Sequence, residues 1–278
     1  MIRLVQIELI KLFRSTRTYL TFGITLVLML IIDLGLYSDG DELFNYLLQS
    51  INDYFYLEGN LVNGYLISYL ALNTLWVHIP TLIVIVTAHI FSSEFEQGTI
   101  RLLLTQSASR GECLMAKFIC MILYVICFMI VVALSALIPS VMIFGTGDVP
   151  VFIDGIQFIQ ESSFLSRFWK TLMFSTIAMV AFSSLAMAFA IWFRNTLTAV
   201  LVVLGLLIVL TLLQTFVFGI FSSWQPFLFS YHIAKWQLFF MSDIPMPSIW
   251  NSVYYLIGMT FICYVVTYIK FNKMNISE

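Results

Sequence analysis

Apolar residues in this chain gather into runs close to the twenty that a helix needs to cross about 30 Å of hydrocarbon. The runs predict membrane-spanning helices at about Thr18 to Leu36, Leu66 to Phe91, Leu114 to Phe144, Lys170 to Phe193, Leu197 to Phe221 and Ile249 to Ile269. Six crossings place both termini on one side of the bilayer. Pro80, inside the second run, removes a backbone hydrogen bond and predicts a kink there.

Ahead of the first run, Ile2, Val5, Leu9, Leu12 and Phe13 share one helical face, with Arg3, Lys11 and Arg14 on the other side. That pattern predicts an amphipathic helix over residues 1–17, lying in the membrane interface with its cations against anionic headgroups. Leu4, Ile7 and Ile10 fall outside the stripe, so a plain extension of the first span is the alternative. The first run begins only after Arg17 and lacks a small-x-small cleavage site, which predicts a retained helix rather than a signal peptide.

A second interfacial element is expected before the last span. Phe227 to Met241 is strongly apolar with one charge, Lys235, but its 15 residues reach only about 22 Å as a helix, too short to span. Trp224, Pro226, Trp236, Pro245, Pro247 and Trp250 frame it, and tryptophan favours the interface while proline breaks helices. Residues 222–249 therefore read as a re-entrant or interfacial helix pair on the outer side. The acidic stretch from Tyr37 to Tyr65 reads as an outer loop.

Composition fits these runs. The 278 residues are 61% hydrophobic and 10% charged, against about 45–50% and 25% in a soluble domain. The fold class that follows is an all-α integral membrane domain over residues 1–278. The net charge of -2 has no clustered basic face and gives no sign of a nucleic-acid partner. What matters is the placement of the cations: Arg3, Lys11, Arg14, Arg17, Arg101, Arg110, Lys117, Arg194, Lys270 and Lys273 flank one side of the spans, and Arg167, Lys170 and Lys235 the other. By the positive-inside rule the chain is N-in and C-in.

Little in the sequence offers chemistry. There is no G-x-x-x-x-G-K-[ST] loop to cradle nucleotide phosphates, no H-E-x-x-H, and no G-x-S elbow. Cys113, Cys120, Cys127 and Cys263 show no metal-ligand spacing and read as packing residues. Asp33 lies near the outer end of the first span, within expected reach of headgroup water. His78 sits near the middle of the second, as either a packing residue or one that faces substrate. Asn73, His78 and Gln214 are the candidate lining of a path.

The informative segment is the loop at residues 93–112, where Ser93-Glu94-Phe95-Glu96-Gln97-Gly98-Thr99 leads into Ile100-Arg101-Leu102-Leu103-Leu104 and then Ser109-Arg110. Gly98 permits a sharp turn and Thr99 can cap a short helix that presents Leu102 and Leu103 to the cytoplasm. A solvated connector would use similar residues. Charge reversal at Glu96 and Arg101 should then cost little folding energy, within about 0.5 kcal/mol.

This loop resembles the signature of ABC-2 type transporter permeases, an E-x-E-x-G-T turn, a leucine-rich step, a P-x-S-R-like step and a lysine opening the next span. Glu94, Glu96, Gly98, Thr99, Leu102, Leu103, Ser109, Arg110 and Lys117 match it, with Ser107 where that family commonly has proline. The resemblance implies an ATP-driven exporter in a bacterial cytoplasmic membrane. In such an exporter, paired permease subunits, as two copies or as a chain with a paralogue, surround the path in membrane lipid. Each is served by a separate cytoplasmic ATPase that carries the ATP and Mg²⁺, with no cofactor on the permease itself. It further implies that Glu94, Glu96, Gly98, Thr99, Arg101, Leu102, Leu103 and Arg110 form the coupling element. The rival reading is a membrane protein that does not transport, either an intramembrane enzyme or an assembly scaffold.

Overall fold

The computed structural model describes residues 1–52, 62–100, 109–153, 155–216 and 224–274. Nine α-helices are seen among these residues: α1 (Ile2–Arg14), α2 (Thr16–Asn52), α3 (Gly64–Leu75), α4 (His78–Glu96), α5 (Arg110–Phe144), α6 (Glu161–Phe193), α7 (Thr196–Phe216), α8 (Phe229–Ile233) and α9 (Met246–Lys273). Six stretches within them are long and apolar enough to cross a membrane: Thr16–Ser38, His78–Glu96, Arg110–Phe144, Glu161–Phe193, Thr196–Gln214 and Met246–Lys273. The chain is built as a multi-pass helical membrane protein.

Burial sorts these helices into centre and rim. The apolar windows of α4 and α6 are 61% and 67% buried, whereas those of α2, α7 and α9 are only 22%, 22% and 28% buried. Small side chains let α6 take the centre: Ala178, Ala181, Ser184, Ala186 and Ala190 are fully buried, which allows close backbone approach from several sides. The four cysteines are free thiols, three of them buried.

The second crossing is broken. Helix α3 ends at Leu75 and α4 starts at His78, because Pro80 has no N–H for the Trp76 carbonyl four residues earlier and its ring crowds that carbonyl. His78 thus stands at the break rather than inside a continuous span, and it is exposed. Helix α3 meets α5 closely: a Cβ on Gly64 would stand 2.5 Å from the Ser140 carbonyl oxygen, so only glycine fits.

Two expectations need correction. Helix α2 does not end near Leu36 but continues to Asn52, since Leu43, Phe44, Leu47, Leu48 and Ile51 recur at helical spacing through the stretch read as loop. Asp33 does not reach headgroup water; it is 1% exposed and accepts a 2.7 Å hydrogen bond from Ser140 Oγ. The all-α bundle also carries one small hairpin. Strands β1 (Val149–Phe152) and β2 (Ile156–Ile159) pair antiparallel, Val149 opposite Ile159. Asp154-Gly155, between short apolar-polar alternations, was the available hairpin signal, and Gly155 takes a φ of 116°.

The hairpin lies at the end of the bundle where α3 and α6 begin. Asp148 ties it down: its carboxylate accepts from the Glu161 N–H at 2.8 Å and its carbonyl accepts from Asn63 Nδ2 at 2.8 Å. The apolar stretch before α9 lies at the same end. It is a 3₁₀ turn (Gln225–Phe227), α8, and a 3₁₀ helix (Ala234–Phe240), rather than a pair of regular helices. Trp236 and Phe240 are buried against Tyr69, with Trp76 also against Trp236. Arg167 of α6 donates to the carbonyls of Phe239, Met241 and Ser242 and fixes the end of this wedge.

Candidate functional site

At the opposite end of the bundle, the loop singled out by sequence is held by charge. Lys117, one turn into the membrane part of α5, is 4% exposed. Its ammonium donates to Glu94 Oε1 at 2.6 Å, to the Ile90 carbonyl at 2.8 Å and to Glu8 Oε2 at 3.0 Å. A lysine has three protons to donate and all three are used. Lys11 of α1, half exposed, bridges the same two acids at 2.9 and 3.2 Å. Burial alone would lower the Lys11 ammonium, but the hydrogen bonds and charges of Glu8 and Glu94 outweigh it and raise its pKa. Two acids and two amines close an electrically neutral cluster that joins α1, α4 and α5.

Glu8 was not foreseen. The signal lay in its position: with Val5 and Leu12 it falls on the apolar stripe of α1, and Glu8 and Leu12 are the two buried residues of that helix. A lone acid on a buried face requires a cation opposite it, and Lys117 supplies it.

Glu96 has another partner. One carboxylate oxygen accepts from the Thr196 N–H and the other lies 3.9 Å from His89 Nδ1. Thr196 opens α7, where the first N–H groups lack helical partners, and Asn195 Oδ1 caps the same end by accepting from Thr198 N–H at 2.9 Å. The Thr196 hydroxyl meets Ser92 Oγ at 2.6 Å, so α4 and α7 are stitched side by side.

Arg110 works at the end of α9. Its Nη1 donates to the carbonyls of Asn272 and Met274 at 2.9 and 3.0 Å and, at 3.5 Å, to Phe271, satisfying carbonyls that a helix terminus leaves open. Next to it, Ser109 and Glu112 form a reciprocal capping box that starts α5. Gly98 adopts a φ of 68°, as a sharp turn requires, and Ile100 is helical directly after Thr99. Arg101, Leu102 and Leu103 lie outside the described residues.

These contacts correct the expectation that Glu96 is a surface charge whose reversal costs little. Glu94 is buried, Glu96 caps a neighbouring helix and Arg110 closes another. Reversal at Glu96 would therefore not be neutral for folding. Of the three residues expected to line a path, Asn73 Oδ1 accepts from Gln237 Nε2 at 3.0 Å, His78 is exposed and Gln214 is half-buried on α7. No hydrogen bond joins the three among the described residues.

Residues 26–277 match the model of a family described as "Protein of unknown function (DUF2705)". The chain belongs to this DUF2705 family. The match takes in every membrane-spanning helix except the start of the first, together with the charged loop, while Glu8 and Lys11 lie before it. Similarity also extends to the "Uncharacterized protein YhcI" of Bacillus subtilis (strain 168), with 25% identity over 153 residues, 53% of this chain and 48% of that protein. The match thus spans about half the length of that relative.

Proposed function

We propose that this chain is the membrane-spanning permease subunit of an ATP-driven exporter, moved by a separate cytoplasmic ATPase through the loop at residues 93–112. One observation carries the reading. The residues flanking the loop are tied to four helices at once: Glu94 to α1 and α5, Glu96 to α7, and Arg110 to α9. A force applied at these flanking residues reaches α1, α5, α7 and α9 through direct contacts. Ten cations on this side of the spans and three on the other support placing the loop in the cytoplasm. The exposed outer sides of α2, α7 and α9 leave apolar surface for lipid and for a second permease.

The reading requires a neighbouring gene for a soluble P-loop protein, and the test co-expresses the chain with that protein. Arg101→Glu with Leu102→Ser and Leu103→Ser should abolish co-purification and ATP-dependent export while leaving the thermal midpoint of the chain unchanged. Wild-type coupling in that variant, or robust ATP hydrolysis by the isolated chain, would refute the proposal.

A further inference from the structure

The C-terminal ends of α6 and α9 meet at the same end of the bundle as the charged loop and enclose an open cleft of about 550 Å³. Three cations line it, Arg194, Lys270 and Lys273, together with Trp192, Val266 and Ile269. Among the described residues no acid lines it and none of the three cations forms an ion pair. The Lys270 ammonium lies 5.0 Å from the centre of the Trp192 ring, a cation–π contact that leaves its protons free.

A simple structural role does not use up these charges. Lysines near a helix C-terminus commonly serve its open carbonyls, but at the end of α9 Arg110 already takes those of Asn272 and Met274. Arg194 is held in a left-handed conformation, φ 55°, by the sharp turn from α6 into α7. That conformation costs free energy for any residue with a Cβ.

The surface leading away from the cleft is as specific as its charge. On α9, Ile262, Val266 and Ile269 follow at helical spacing, and they are 62%, 42% and 48% exposed. They form an apolar rail that runs along the helix and ends at Lys270 and Lys273. Trp192 is 56% exposed, and indoles favour the boundary between hydrocarbon and headgroups.

From this juxtaposition we infer that the cleft binds the phosphate headgroup of an anionic phospholipid, with one acyl chain lying along Ile269, Val266 and Ile262. Basic pockets between spans are where such headgroups are held. The ligand chemistry is a phosphate diester, and the rail distinguishes a lipid from a soluble phosphate.

The experiment measures phosphatidylglycerol retained by the purified full-length chain, by native mass spectrometry and by binding to nanodiscs of defined composition. Lys270→Gln with Lys273→Gln should weaken retention about 30-fold, from roughly fivefold per cation near an anionic surface. Lys270→Arg with Lys273→Arg should keep it, and Lys170→Gln, an exposed cation at the other end of the bundle, should not change it. Phosphatidylcholine should bind no better to the wild type than to the double glutamine variant. Glycerol 3-phosphate and dihexanoyl phosphatidylglycerol should compete poorly with the long-chain lipid. Equal competition by glycerol 3-phosphate would make this a soluble-phosphate site and overturn the inference. So would unchanged lipid retention in the glutamine variant, including the case where that variant instead loses a co-purifying protein.

Discussion

Replacing Lys117 by methionine isolates the buried charge cluster, because it removes one cation and leaves the packing volume nearly intact. The ammonium it deletes makes three short hydrogen bonds, at 2.6, 2.8 and 3.0 Å. Left behind are Glu94 and Glu8, whose side chains are 6% and 9% exposed, with only the half-exposed Lys11 to balance them. Breaking a buried pair by removing one partner costs about 3–5 kcal/mol, mostly as the penalty of an uncompensated charge. At roughly 2–4 °C per kcal/mol for a larger chain, the thermal midpoint should fall by about 10 °C. Lys11→Met touches the same acids from a side chain that is 49% exposed, and should cost about 1 kcal/mol or less.

The assay is scanning fluorimetry of the purified chain in a fixed detergent, reading its six tryptophans. Adding Glu8→Gln and Glu94→Gln to Lys117→Met should recover at least half of the loss, since the stranded charges are gone although the hydrogen bonds are not restored. A Lys117→Met midpoint no lower than that of Lys11→Met, or no recovery in the triple variant, would show that the cluster does not carry buried charge and would refute the reasoning.

Cysteine labels at Asp53 and Asp154 should react with impermeant reagents from outside, and a label at Gln106 only from inside; a label at Asp53 reachable only from the cytoplasm would invert the topology. His232 Nε2 donates to the Pro226 carbonyl at 2.7 Å and Nδ1 pairs with Ser252 Oγ at 2.9 Å, and burial lowers its pKa below the ordinary 6.5. The unfolded chain then takes up this proton first, so stability should decline as pH falls below about 6.5, and His232→Phe should flatten that part of a melt-versus-pH curve. Glu96→Ala should cost about 1 kcal/mol through the lost cap on α7, while Glu96→Gln, which keeps an acceptor oxygen for Thr196, should melt close to wild type; equal losses in both would remove the capping assignment.

How much was legible in the sequence follows from the range of each interaction. The spans could be placed because an apolar run of sufficient length is a local property: α5 and α6 end at Phe144 and Phe193 as expected, although α6 starts at Glu161 rather than Lys170 and the second span is divided between α3 and α4. Helix α2 overran its expected end because the sequence beyond Leu36 changes from uniformly apolar to amphipathic, and only the first pattern was counted as helix. The hairpin was missed although Asp154-Gly155 announced a turn. Partners were not legible at all. Glu8 and Lys117 are 109 residues apart, Glu96 and Thr196 are 100 apart, and Arg110 reaches carbonyls 162 and 164 residues away. No periodicity encodes such pairings, although each residue carried a one-sided hint: an acid on an apolar face, or a cation opening an apolar helix.

Those pairings also change what a charged loop motif can mean. A charge that only serves a partner protein should stand in water, where losing it leaves the fold indifferent. Glu94, Glu96 and Arg110 are instead consumed by contacts inside the chain, each to a different helix. If the chain is driven by an ATPase as proposed, recognition of that partner falls to residues between Gly98 and Ser109, while the flanking charges serve the fold. The two roles respond to different substitutions. Removing the acceptor at Glu96 loosens α7 whether or not a partner is bound, whereas removing only its charge tests recognition with the joint to α7 intact. A variant at these positions that loses transport is therefore evidence for coupling only when its melt is unchanged.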